Sequence, residues 1–178
     1  SKPLRRSGVR PDHNIYVTGT LGDAAAGLEI LKRTILKKNS QVCYLVKRYQ
    51  DPTARLKVSK EIATFAGGAI DVSDGLINEL GILSKQSQCS IMVDASLIPI
   101  SRPLKKIMNK TFLGLALYGG DDYEILFSAP PGNEKLIKKI SKETNTLITL
   151  IGRATPGKGI ELINYDIHEA KPKGFKHF

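Results

Sequence analysis

Two acidic clusters, each set beside glycine, constrain this chain more than any other feature: Asp71-Val72-Ser73-Asp74-Gly75-Leu76 and Gly119-Gly120-Asp121-Asp122-Tyr123-Glu124. Carboxylates packed this densely raise one another's pKa values, so a fold holds them where a divalent cation neutralises them or where the element faces solvent. The adjoining glycines, lacking Cβ, allow backbone to approach a phosphate closely. Carboxylate, hydroxyl and glycine in one place point to magnesium-assisted phosphate chemistry.

Each cluster falls at a junction of regular elements. Ala69 to Val72 reads as a short apolar strand, with Ser73 or Asp74 capping a helix through about Gln86. Tyr123 to Phe127 reads as a strand issuing directly from the second cluster. Around them, Asn14 to Thr18 alternates as a strand, and Gly19-Thr20-Leu21-Gly22-Asp23 leads into an alanine-rich helix with Asp23 at its N-cap or in its first turn. That glycine-bearing turn suits either an anion at the helix N-terminus or close packing of helix on sheet. Helices are predicted over Val42–Tyr49, Thr53–Phe65, Pro103–Asn109, Thr111–Leu117 and Glu134–Thr144, the second with Leu56, Val58, Ile62 and Phe65 as its apolar face. Further strands are predicted at Ile91–Val93, Leu147–Ile151 and Ile160–Ile163, the last two flanking a Pro-Gly turn. Strands and helices alternate irregularly and no repeat or linker divides the chain. The expected fold class is α+β: a single domain over 1–178 with a mixed β-sheet and packed helices.

The 178 residues are enough for one domain with a real core, and a charged fraction of 25% suits an ordinary soluble globular protein. No apolar run reaches the eighteen or so residues needed to span a bilayer, so no membrane role is expected. Cys43 and Cys89 lie far apart without metal-ligand spacing and read as reduced, buried thiols of a cytoplasmic protein, with a disulfide as the less favoured alternative. The absence of an initiator Met suggests a chain that starts inside a longer protein. The net charge is +10, yet residues 61–125, which hold both acidic clusters, carry −3 between segments of +9 and +4. That distribution fits a cation site flanked by phosphate-attracting surface. Lys outnumbers Arg 19 to 8 and Trp is absent, which disfavours nucleic-acid readout and leaves most lysines as solvated helix faces. The three histidines share no Ser/His/Asp or Cys/His set, so covalent hydrolase chemistry is not indicated.

For Asp71 and Asp74, two readings stand side by side. Three residues apart across a strand-to-helix turn, the carboxylates can converge on one Mg²⁺; equally, they can serve as a plain helix cap. The second cluster makes a poor strand and a poor helix, so it is either a solvated turn or a ligand-contacting site. The closing Gly174-Phe175-Lys176-His177-Phe178 places an aromatic pair on a polar tail, which suits packing on the domain or stacking on a flat ligand.

Taken in order, Arg6-Ser7-Gly8, Tyr16 to Asp23, Asp71 to Leu76, Gly119 to Glu124, and Gly174-Phe175 with His177-Phe178 resemble the thiamine-monophosphate kinase family of the aminoimidazole-ribonucleotide synthetase superfamily. The resemblance covers almost the whole chain and corresponds to the family's C-terminal domain alone, without the N-terminal ATP-binding domain. It implies ATP- and Mg²⁺-dependent phosphorylation of thiamine monophosphate to thiamine diphosphate, by a full-length enzyme that is a homodimer. It further implies Asp71 and Asp74 as Mg²⁺ ligands, Arg6 and Ser73 as ATP contacts, and Asp121 and Phe175 as substrate contacts. Position 121 is Asp where the family usually has Glu, and Lys176 stands where it usually has Asp. Other superfamily enzymes, such as selenophosphate synthetase or a hydrogenase maturation factor, would lack the closing aromatic motif. A basic nucleic-acid-binding module is the alternative from a different class, and steep salt dependence of binding would mark it.

Overall fold

A computed structural model describes residues 3–32 and 39–165. Its strands are β1 (Asn14–Thr18), β2 (Ala69–Val72), β3 (Ser90–Asp94), β4 (Glu124–Ala129), β5 (Ile148–Thr155) and β6 (Gly159–Ile163). Its α-helices are α1 (Asp23–Lys32), α2 (Ser40–Gln50), α3 (Leu56–Ile62), α4 (Leu76–Ser87), α5 (Arg102–Met108), α6 (Phe112–Tyr118) and α7 (Glu134–Glu143). The strands form one six-stranded sheet in the order β2-β4-β1-β5-β3-β6. The paired neighbours run antiparallel, apart from the parallel pair β3 and β6. This is the mixed α+β domain expected from the sequence.

Period-two alternation on the strands divides the core between two faces. Ile15 and Val17 of β1 join Ile70, Val72, Ile91, Val93 and Leu126 on one face, covered by α4 and α6 through Leu76, Leu80, Leu83, Ala116 and Leu117. Tyr16, Ala69, Phe127 and Ala129 point the other way, against Val58 and Ile62 of α3 and Ile137 and Ile140 of α7. The rings of Tyr16 and Phe127 stack with centroids 5.4 Å apart. A third cluster joins α1, α2 and α5 through Ala26, Ile30, Val42, Leu45 and Leu104. Among the described residues, no helix is long and apolar enough to cross a membrane.

Three local expectations change. Helix α4 begins at Leu76, with Gly75 (φ 101°) as N-cap residue and no side-chain cap bond, so neither Ser73 nor Asp74 serves as the cap. The Asp74 backbone N–H instead donates to Glu79 Oε1 at 3.2 Å, one turn inside the helix. Helix α3 is confined to Leu56–Ile62: residues 53–55 stay outside it, Arg55 turns to a buried carboxylate, and Leu56 is 68% exposed rather than on the apolar face. Cys89 is buried as expected, but Cys43 lies on the exposed face of α2 rather than in the core; strands β5 and β6 flank the Pro-Gly turn as read, with β3 between them and paired with both.

Candidate functional site

The two acidic clusters meet at the sheet edge. Strands β2 and β4 are antiparallel neighbours, with Asp71 opposite Ile125 and Val72 opposite Glu124. The pairing continues beyond the strands, since the Tyr123 N–H donates to the Val72 carbonyl at 2.9 Å and the Asp121 N–H to the Ser73 carbonyl at 2.8 Å. Glycine permits this closeness. A Cβ on Gly120 would run into the Ser73 carbonyl oxygen, and one on Gly75 would lie 2.9 Å from the Tyr118 carbonyl carbon. Here, these glycines bring chain against chain, rather than chain against phosphate as the sequence alone suggested.

Within Asp121-Asp122-Tyr123-Glu124 the side chains alternate. Asp122 and Glu124 are buried, at 1% and 0% exposure, while Tyr123 is 42% exposed and Asp121 half-buried. Both outward residues sit in left-handed backbone, Asp121 at φ 67° and Tyr123 at φ 50°. A non-glycine residue there costs about 1–2 kcal/mol, and such strain persists only where surrounding contacts over-determine it.

The two inward acids supply those contacts. Asp122 accepts the Gly22 N–H at 2.6 Å through Oδ2 and the Ala24 N–H at 3.1 Å through Oδ1. It thereby occupies the N-terminus of α1, where the unsatisfied N–H groups and the helix dipole favour negative charge. The acceptor at that glycine-bearing turn is the protein's own carboxyl group. Burial nevertheless pushes the Asp122 carboxyl up to about 7, against the downward pull of the two N–H donors.

Glu124 is held by a bidentate Arg55, with Nε to Oε2 and Nη2 to Oε1 both at 2.6 Å, and by Arg48 Nη2 to Oε1 at 2.9 Å. Thr18 Oγ1 donates to Oε2 at 2.6 Å and accepts the Ile125 N–H at 2.8 Å. The hydrogen bonds to Glu124 hold the Arg55 pKa above its usual value. Asp23, buried in the first turn of α1, accepts from Ser101 Oγ at 2.5 Å, Thr20 Oγ1 at 2.6 Å and Tyr44 at 3.2 Å. Arg48 Nε lies 3.8 Å from Asp23 Oδ2, buried and without a hydrogen bond of its own. Arg48, Arg55, Glu124 and Thr18 escaped sequence reasoning. No alternation marked Glu124 as inward, since Ile125-Leu126-Phe127 after it is a continuous apolar run with both faces covered.

Asp71 and Asp74 are exposed and Ser73 is half-buried, on the same edge as Asp121. Glu79 lies buried behind them; burial raises its carboxyl pKa first, and the charges of Asp74 and Asp71 raise it further. The Tyr123 hydroxyl donates to Asp121 Oδ1 at 3.3 Å, and its pKa is raised chiefly by the Asp121 charge, with Asp71 and Asp74 adding to it. The structure therefore gathers Asp71, Ser73, Asp74 and Asp121. Arg6 is exposed on the leading segment, alongside the opposite end of β2, where the Ala69 N–H donates to the Arg5 carbonyl at 2.7 Å. Arg5, Ser7 and Arg10 line a groove of about 640 Å³ there with Phe65 and Gly67. Phe175 lies outside the described residues. Among the described residues, no three His, Cys, Asp or Glu side chains come together as a group that could hold a metal ion.

Residues 10–164 match the family described as AIR synthase related protein, C-terminal domain. The chain belongs to that family. Thiamine-monophosphate kinase of Escherichia coli O157:H7 is 36% identical over 184 residues, which cover 99% of this chain and 56% of that protein. The crystal structure of thiamine-monophosphate kinase from Stenotrophomonas maltophilia superimposes with TM-score 0.85 at 32% identity, over 90% of this chain and 52% of that one. AaThiL complexed with AMPPCP and TMP gives TM-score 0.81 at 32% identity, over 98% and 54% respectively. The chain thus spans about half the length of the curated relatives it matches.

Proposed function

We propose that this domain is the C-terminal half of an enzyme that transfers the γ-phosphoryl group of ATP to thiamine monophosphate, yielding thiamine diphosphate. The observation that carries the reading is the joining of Asp71, Ser73, Asp74 and Asp121 on one edge by the backbone bonds Tyr123–Val72 and Asp121–Ser73. Relatives bearing the kinase name, one of them solved with AMPPCP and TMP, support it. The nucleophile of such a reaction is a phosphate oxygen already ionised at neutral pH, so no general base is required. What the protein must do is align two anions and offset their repulsion.

Asp71 and Asp74 are the residues that would hold Mg²⁺. The donor set fits: both side chains are exposed carboxylates, and their charge already bears on buried Glu79. A pair of carboxylates leaves the remaining positions of a hard, oxygen-seeking cation to water and phosphate. The bound ion would supply charge neutralisation between the two phosphates. Ser73 offers a hydroxyl at the same turn, and Arg6 a fixed positive charge for the nucleotide. Asp121 would contact the substrate, and Phe175 would hold the thiamine rings. The remaining ligands and the dimer contact belong to a preceding domain.

The test is thiamine diphosphate formation by the full-length protein and by its Asp71→Asn and Asp74→Asn variants. Each variant removes a charge at nearly constant shape. Turnover is expected to fall on the order of 100-fold or more, with the melting temperature nearly unchanged. Near-wild-type turnover in both variants would remove the metal role, and an inactive wild type would remove the kinase reading.

A further inference from the structure

The outward half of the second acidic cluster is a two-residue display, and one member has no role in the chemistry described so far. Tyr123 is an aromatic residue with 42% exposure at the end of an otherwise buried strand. An apolar residue at such a position would be expected to turn inward. Here the inward positions on either side are taken by Asp122, fixed to the N-terminus of α1, and by Glu124, fixed to Arg48 and Arg55. The Tyr123 backbone is clamped to Val72, and the left-handed φ of 50° holds the side chain out. Its hydroxyl is engaged with Asp121 Oδ1. Tyr123 therefore presents its ring, with Asp121 beside it and Asp71 and Asp74 within electrostatic reach.

We propose that Tyr123 is a specificity-determining residue of this site, its ring forming part of the surface that receives a flat organic cation. An aromatic face attracts a cation through its quadrupole, and neighbouring carboxylates add to that attraction. The carboxylates beside the ring repel the phosphates of a polyanionic nucleotide and attract a cation, so the contribution favours the cationic substrate. The inference rests on the kinase reading, in which the phosphoryl acceptor carries a thiazolium ring. A phosphate-binding role is disfavoured because the phenol hydroxyl already donates to Asp121, and the charges of Asp71 and Asp74 also bear on it.

The experiment is equilibrium binding of thiamine monophosphate and of a non-hydrolysable ATP analogue to the full-length protein, comparing wild type with Tyr123→Phe and Tyr123→Leu. Leucine keeps an apolar side chain of moderate size but removes the ring; phenylalanine keeps the ring but removes the bond to Asp121. Tyr123→Leu is expected to raise the thiamine monophosphate Kd about 3- to 30-fold and leave the nucleotide Kd within about 2-fold, while Tyr123→Phe leaves both within about 3-fold. Equal losses for the two ligands in Tyr123→Leu would mean that the ring packs against the rest of the protein, and would overturn the proposal. Equal losses of thiamine monophosphate binding in the two variants would overturn it as well, by assigning the effect to the hydroxyl and Asp121. Should Tyr123→Leu not fold, the Tyr123→Phe measurement, together with intermolecular NOEs from the Tyr123 ring to the thiazolium protons in wild type, decides: their absence overturns the proposal. Wild-type turnover of thiamine monophosphate, measured in parallel, separates failure of this inference from failure of the kinase reading.

Discussion

Asp122 is the residue on which the outward turn depends, and its burial makes that dependence sensitive to pH. Its folded-state pKa, about 7, lies above the value near 4 of an unfolded aspartate. Between those two values the folded protein holds a proton that the unfolded chain has released. Stability therefore falls as pH rises through that window, by at most about 1.4 kcal/mol per pH unit, and levels off above it. Asp122→Asn removes the titration. Thermal unfolding of wild type should lose about 5 °C or more relative to the variant between pH 5 and 7. Parallel curves would mean that the N–H groups of Gly22 and Ala24 keep the carboxylate ionised throughout. The importance of this residue was hidden in the sequence for a physical reason. Four consecutive polar residues read as one unit, either a solvated turn or a ligand-contacting site, and only the register of β4 and the position of α1 divide them into two anchors and two displayed groups.

At the scale of elements, Glu124 ties β4 to β1 through Thr18, to α2 through Arg48, and to the segment before α3 through Arg55. Both arginine side chains are largely buried, at 11% and 18% exposure, and the carboxylate is fully so. Removing one partner of a buried ionic cluster leaves the other charges without compensation, which costs about 3–5 kcal/mol. Glu124→Ala should lower the melting temperature by about 10 °C, whereas Arg153→Ala, which breaks a surface pair with Asp12, should shift it by no more than a few degrees. Similar shifts in the two variants, read from thermal or urea unfolding, would show that the buried cluster adds no more than a surface pair. The same cluster explains where the sequence misled. The apolar periodicity around residues 53–65 favours one long helix, but the Arg55–Glu124 pairing leaves residues 53–55 outside it. Elements with strong local signals, such as β1, α6 and α7, were legible because propensity and packing agree there. The start of α4 was not, because the close approach of Gly75 to Tyr118 decides it, and that contact spans more than forty residues.

On the scale of the whole molecule, the two acidic clusters of the negative middle third meet at the β2 edge of the sheet, while positive segments flank that third in sequence on both sides. That rim offers two exposed carboxylates toward a cation, and no complete set of three metal-type side chains exists among the described residues. Transfer between ATP and a second phosphate requires both anions to be aligned and neutralised together, and the benefit comes from groups held in place before the substrates arrive. A chain that spans about half the length of its curated relatives and presents an incomplete ligand set should not supply that arrangement unaided. The 178-residue chain, purified alone and given ATP, Mg²⁺ and thiamine monophosphate, is therefore expected to form no thiamine diphosphate above background under conditions where the full-length protein turns over. Circular dichroism and a cooperative melt of the same sample would establish that it is folded, so that inactivity reflects missing groups rather than a missing fold. Efficient product formation by the folded chain would mean that this domain alone holds the whole phosphate cradle, with Asp71, Asp74 and Asp121 sufficient for it.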